Sequence, residues 1–167
     1  MHQIVLQKEP RLDAKKEAFR YQLEAATAIR DLPYAAIFHE QGMGKTKIAV
    51  DLMLYWLEKK QVDTILLVVK KSLLQNWITE LKVHTYLTPR VLSQSHGANF
   101  FVFNSPARVM LTHYEVIKSE IERMKLFLRT RRVGTILDES VKIKNPDSAL
   151  TQTFLELAPQ FAKRVIM

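Results

Sequence analysis

From residue 39 the chain reads His-Glu-Gln-Gly-Met-Gly-Lys-Thr, two glycines followed by a cation and a hydroxyl. That order suits the phosphates of a nucleotide, which need several donors converging on them with no side chain in the way. Gly42 and Gly44 let the backbone bend so that successive N–H groups of Gln41, Gly42, Met43 and Gly44 face inward. A helix beginning beyond them adds the positive end of its dipole. Lys45 would then reach the β- and γ-phosphates, and the Thr46 hydroxyl would take a place in the shell of Mg²⁺. His39 stands where the strict pattern has glycine, so the match is a relaxed one. Gly-Lys-Thr alone is common, and what lifts it is an apolar run before and a helical pattern after. The expected cofactors are ATP and Mg²⁺.

A phosphate loop needs an acidic partner at the end of another strand. Val133 to Leu137 is apolar and ends in Asp138-Glu139. Asp138 is placed to hold Mg²⁺, and Glu139 to polarise an attacking water as general base. Lys45, Asp138 and Glu139 are therefore the candidate catalytic residues, and Thr46 and Asp138 the candidate metal ligands. An acidic pair before a helix is otherwise unremarkable; its weight comes from the loop upstream.

The elements that must position these groups alternate between short apolar runs and amphipathic stretches. That alternation predicts an α/β domain with a mostly parallel central sheet and helices on both faces. Residues 15–30 read as a helix with Phe19, Leu23, Ala26 and Ile29 on one face. Residues 34–38 read as a short buried strand, and 45–59 as the helix after the loop. Strand 64–69 follows, then a helix over 73–81 with Ser72 as its cap. Residues 90–92, 100–103 and 108–111 are candidate strands, punctuated by Gly97 and Pro106. A helix over 115–129, the strand 133–137, a helix from Asn145 to about residue 157, and a strand from 164 complete the pattern.

With 167 residues, 47% of them hydrophobic, the chain suffices for one domain with a real core. Its 25 Lys and Arg exceed its 17 Asp and Glu, and the net charge of +8 favours polyanionic partners such as nucleic acid. The absence of cysteine excludes disulfides, thiolate zinc sites and a cysteine nucleophile. The five histidines show no metal-ligand spacing. No apolar run is long enough to span a bilayer, and the first residues lack a signal-peptide layout, so an intracellular protein without a membrane partner is expected.

Taken in order, these motifs resemble the first RecA-like lobe of a Swi/Snf-type ATPase of helicase superfamily two, over about residues 19–167. Phe19-Arg20-Tyr21-Gln22 is similar to the adenine-recognition segment, which implies that Gln22 contacts adenine. Residues 39–46 are similar to the phosphate loop Asp-Glu-Met-Gly-Leu-Gly-Lys-Thr. Residues 66–77 and 109–115 resemble two segments that contact the DNA backbone, which implies DNA contacts at Lys70, Lys71, Ser72 and Thr112. Ile136-Leu137-Asp138-Glu139-Ser140 with Ile143-Lys144-Asn145-Pro146 is close to the family's Asp-Glu box and its Lys-Asn tail.

The resemblance implies a RecA-like P-loop NTPase fold and, in the complete protein, a DNA-dependent ATPase that moves along double-stranded DNA. Lys70 stands where the family usually has Pro. Ser140 and Val141 replace Ala-His or Gly-His, so the coupling made by that His is not carried over. Family members continue into a Thr-Gly-Thr-Pro motif and a second RecA-like lobe, the expected partner. Residues 1–167 are accordingly expected to be a single N-terminal lobe cut before that motif. Without an arginine finger worth about 10³ to 10⁵ in rate, the lobe alone should turn over ATP hardly at all. Asp-Glu-Ser variants bring bacterial or phage members to mind, hence a cytoplasmic rather than nuclear setting. A strand-separating DNA or RNA helicase is one rival reading, against which Ile143-Lys144-Asn145-Pro146 argues. A basic docking module without turnover is the other, against which the intact Lys45, Thr46, Asp138 and Glu139 argue.

Overall fold

β2 (Thr64–Val69), β4 (Val109–His113) and β5 (Val133–Leu137) are buried along their whole length. Strands this apolar on both faces belong to the interior of a parallel sheet covered by helices on each side. A computed structural model describes residues 8–38, 44–138 and 145–167. In it these three strands, with β1 (Tyr34–Ala36), β3 (Arg90–Val91) and β6 (Lys163–Ile166), form a six-stranded sheet in the order β1-β6-β5-β2-β4-β3. Every pairing is parallel. The α/β reading is therefore right, and the described sheet is wholly parallel.

Alternate residues of β2 serve two cores, as the two-residue strand period requires. Ile65, Leu67 and Val69 face α1 (Arg20–Ile29), α2 (Lys45–Glu58) and α3 (Leu74–His84), and pack with Ile48, Leu52, Trp56, Trp77 and Leu81. Leu66 and Val68 face the other way, into a core with Met110, Tyr114, Met124, Phe127 and Phe154. Those residues come largely from α5 (Tyr114–Ser119), α6 (Ile121–Thr130) and α7 (Ala149–Leu157).

Several elements depart from the sequence pattern for identifiable reasons. The first helix begins at Arg20 instead of residue 15, because the preceding segment is bonded elsewhere. The Lys15 N–H donates to the His84 carbonyl oxygen and its Nζ to that of Lys82, both at 2.9 Å. Arg11 and Lys15 also lie over the Tyr86 ring, at 4.2 and 4.7 Å. The buried residues of α1 are Gln22 and Ala26, whereas Phe19 is 71% exposed and Leu23 is exposed as well. β1 lies at the edge of the sheet with Tyr34 exposed, so it is not the buried strand expected.

Residues 100–103 are helical, within α4 (His96–Phe103), and not a strand. Ser95 caps that helix by accepting from the Ala98 N–H. The helix expected over 115–129 is two, broken at Glu120, whose carboxylate is bound by Asn99 Nδ2 at 2.8 Å. Ser72 is not the cap: it sits in a 3₁₀ turn, Lys71–Leu73, and Leu73 holds the cap position before α3. The last helix is capped by Ser148, while Asn145 closes a turn before it by accepting from the Asp147 N–H at 3.0 Å.

The sheet order separates β1 from β5 by β6 alone. The carboxyl ends of β1 and β5 thus lie about 10 Å apart on one edge, two strand spacings. Among the described residues no helix is long and apolar enough to cross a membrane.

Candidate nucleotide site and nucleic-acid face

At the carboxyl ends of the strands a cavity of about 660 Å³ opens between α1, α2 and α3. Gln22, Gly44, Lys45, Thr46 and Asp138 all line it. Five predicted site residues, from three separate stretches of sequence, thus converge on one space. Crevices at this edge of parallel sheets are where α/β folds bind ligands.

Gly44 is the cap residue just before α2, with φ +67 and ψ 36, a left-handed conformation that disfavours any side chain. A Cβ there would meet Gln22 Nε2 at 2.2 Å. Gln22 is 4% exposed. Its Oε1 accepts from the Phe19 N–H at 2.9 Å and its Nε2 donates to the Gly44 carbonyl oxygen at 3.4 Å. The amide therefore ties the first turn of α1 to the first turn of α2. Phe19 and Tyr21 stack beside it, ring centroids 6.0 Å apart. Lys45 and Thr46 follow at the start of α2, both half-buried. Lys47 also lines the cavity and pairs with Asp51 one turn on.

Asp138 closes the far side, and three of its atoms are hydrogen-bonded among the described residues. Its N–H donates to the Val68 carbonyl oxygen at 2.9 Å, continuing the sheet one residue past β5. Its carbonyl oxygen accepts from the Tyr114 hydroxyl at 2.7 Å. Its Oδ2 accepts from the Trp77 indole N–H, also at 2.7 Å. Neither bond to Asp138 is expected from the sequence, and Trp77 is a core side chain as well. The one available signal was general: a buried indole or phenol needs a polar partner.

Lys45 and Thr46 at the start of α2, the Asp138 carboxylate across the cavity and the exposed aromatic rings beside Gln22 fit a magnesium-bound nucleoside triphosphate. Gln41, Gly42, Met43 and Glu139 lie outside the described residues. A second cavity of about 660 Å³, between β1, β6 and α7, is lined mainly by apolar groups such as Ala36, Phe154 and Leu155 and contains none of the predicted residues.

The candidate DNA contacts divide. Lys70, Lys71 and Ser72 are exposed just beyond the end of β2, on the same edge as Asp138. Thr112 is 0% exposed, and its hydroxyl donates to the Leu92 carbonyl oxygen at 3.3 Å. The structure therefore does not bring Thr112 to the surface with the other three. Its neighbour His113, paired with Val69 across the strands, has Nδ1 2.7 Å from a Glu115 carboxylate oxygen.

Comparison with known proteins adds to this geometry. The family model described as the SNF2-related domain matches residues 32–167. The chain is 35% identical over 127 residues to the SWI/SNF chromatin-remodeling complex subunit snf22 of Schizosaccharomyces pombe, covering 68% of this chain and 7% of that protein. It is 32% identical over 124 residues to the probable ATP-dependent DNA helicase CHR12 of Arabidopsis thaliana, covering 70% and 11%. Among solved structures it superposes on the Sulfolobus solfataricus SWI2/SNF2 ATPase core in complex with dsDNA, with a TM-score of 0.76 at 18% identity. That match covers 97% of this chain and 34% of the other. The core domain solved alone gives 0.72 at 19% identity, covering 99% and 34%. The chain thus spans a small part of the curated relatives and about a third of the solved neighbours.

Proposed function

The chain belongs to the SNF2-related domain family, and from that premise we propose that it is the ATP-binding lobe of a DNA-dependent ATPase that moves along double-stranded DNA. The observation that carries this reading is the convergence of Gln22, Gly44, Lys45, Thr46 and Asp138 on one cavity, on the sheet edge that also exposes Lys70, Lys71 and Ser72.

In this reading Gln22 recognises adenine, and the backbone of Gln41, Gly42, Met43 and Gly44 binds the phosphates. Lys45 balances the charge of the β- and γ-phosphates. Thr46 and Asp138 would hold Mg²⁺, which when bound offsets negative charge on the transferred phosphoryl group. Glu139 orients the attacking water and accepts its proton. Lys70, Lys71 and Ser72 track DNA phosphates, with affinity governed by counterion release. Thr112 shapes that surface from beneath, its hydroxyl being engaged with Leu92.

A second RecA-like lobe completes the cleft and supplies the arginine finger, so residues 1–167 form one lobe of a two-lobed engine. The names of the relatives and of the solved neighbour support DNA as the track. The protein would work where that DNA lies: a bacterial cytoplasm, or a nucleus on the pattern of the yeast and plant relatives.

The test is Mg·ATP binding and turnover by this chain, alone and joined to a second lobe, with and without duplex DNA. The expected result is binding with little turnover alone, and DNA-stimulated turnover in the joined form without strand displacement. Displacement of a strand would favour a helicase instead. Tight DNA binding with no nucleotide binding in either form would leave a docking module.

A further inference from the structure

Two tryptophans are buried in this domain, and they satisfy their indole N–H groups differently. Trp56 donates to a main-chain oxygen, that of Arg30, at 2.8 Å. Trp77, 2% exposed, donates to the carboxylate of Asp138, 61 residues away in sequence. Trp77 lies in the first turn of α3, directly after the exposed turn Lys71–Leu73. The other anchor of Asp138, Tyr114, is the first residue of α5, directly after β4. Each of the two segments assigned to the nucleic-acid face thus sends one aromatic polar group to the same acidic residue.

We propose that Trp77 is a positioning residue that sets the rotation of the Asp138 carboxylate, and with it the affinity of the site for a divalent cation. Tyr114 fixes the main chain on which that carboxylate stands. Hydrogen-bonded partners of this kind orient a metal-binding carboxylate, and losing one typically costs about 10- to 100-fold in metal affinity. The indole is a rigid lever on α3, so a shift of the Lys71–Leu73 turn under a docked duplex would be passed to Asp138. Duplex and metal–nucleotide binding are then coupled, and the coupling is reciprocal. This inference rests on the nucleotide reading above.

The test uses ¹⁵N-tryptophan-labelled protein, whose two indole N–H signals are assigned with Trp56→Phe. Asp138→Asn should move the Trp77 signal and leave that of Trp56 in place. Mg·ADP should move it further than ADP with chelator, and a short duplex should move it again. In binding titrations Trp77→Phe should reduce the gain in ADP affinity brought by Mg²⁺ about 10- to 100-fold, with metal-free ADP affinity unchanged. A Trp77→Phe protein that loses both affinities equally, or neither, overturns the proposal. So does a Trp77 signal indifferent to Asp138→Asn. Should Trp77→Phe fail to fold, the signals of the otherwise native protein still decide, and a Trp77 resonance that stays put under both Mg·ADP and duplex overturns the coupling. A native chain that binds no Mg·ADP is a different failure, which removes the nucleotide site itself and the inference with it.

Discussion

The two ends of the sheet carry charge in opposite ways. At the amino ends of β2, β4 and β5, charged groups are spent on one another. Asp63 accepts from the Arg132 N–H at 2.9 Å and from its Nη2 at 2.9 Å, and Arg108 donates to the Asp63 carbonyl oxygen and to Glu9. Burial pushes the Asp63 carboxyl up, but the hydrogen bonds and charge of Arg132, with Arg108 nearby, outweigh it and hold the group below the usual aspartate range. At the carboxyl ends, Lys45, Thr46 and Asp138 face a cavity. Charge paired within the fold stabilises the fold, whereas charge gathered around a space selects a ligand. In the proposed function the carboxyl edge, where Lys45, Thr46 and Asp138 surround a cavity, is the working edge.

Three changes would break or sharpen the contrast. The largest effect is expected from Lys45→Ala. Nucleotide affinity should fall roughly 30- to 100-fold, about 2–3 kcal/mol for a lost charge-assisted contact, with no drop in melting temperature. A titration followed by thermal unfolding checks both, and unchanged affinity would take Lys45 off the phosphates.

Asp63→Asn should do the reverse. It should cost about 2 kcal/mol of stability through weakened hydrogen bonds at a mostly buried group, discounted because Arg132 is partly exposed. Nucleotide affinity should stay as it was. The pH dependence has a definite sign. A carboxyl whose folded pKa lies below its unfolded value of about 3.9 contributes fully above that value, and loses the contribution as pH falls through the folded pKa. Denaturant unfolding between pH 6 and pH 2, about two units either side of an ordinary aspartate pKa, should therefore show an acid loss that the Asp63→Asn protein lacks. An identical acid profile in the two proteins would remove Asp63 from the account.

The smallest effect belongs to the Lys70→Ala, Lys71→Ala double variant. The slope of log affinity against log salt for duplex DNA should shrink by about two, one for each lost phosphate contact. An unchanged slope would move the DNA path away from this turn.

The working edge was more legible in the sequence than the helices behind it, and for a physical reason. Gly44, Lys45 and Thr46 act as a local string, and Asp138 ends an apolar run, so spacing alone reports them. β2 and β5 match their expected limits because a strand buried on both faces is a continuous apolar run. Phe100-Phe101-Val102-Phe103 has strand-like composition, yet it folds as helix because Asn99 is tied to Ser93 and Glu120 from elsewhere in the fold. The break at Glu120 has the same origin, since its carboxylate also meets His96 Nδ1 at 2.6 Å. Trp77 and Tyr114 escaped notice because their bonds to Asp138 span 61 and 24 residues. The burial of Thr112 is not legible either, because a motif reports residue type and not whether the side chain faces water.

The most direct test of the central claim is hydrogen exchange with and without Mg·ATP, resolved along the chain. The account predicts slowed exchange at Gln22, at residues 44–48 and around Asp138, with Asp63, Arg108 and Arg132 unaffected. Protection confined to the opposite edge, or to the apolar cavity between β1 and α7, would contradict it.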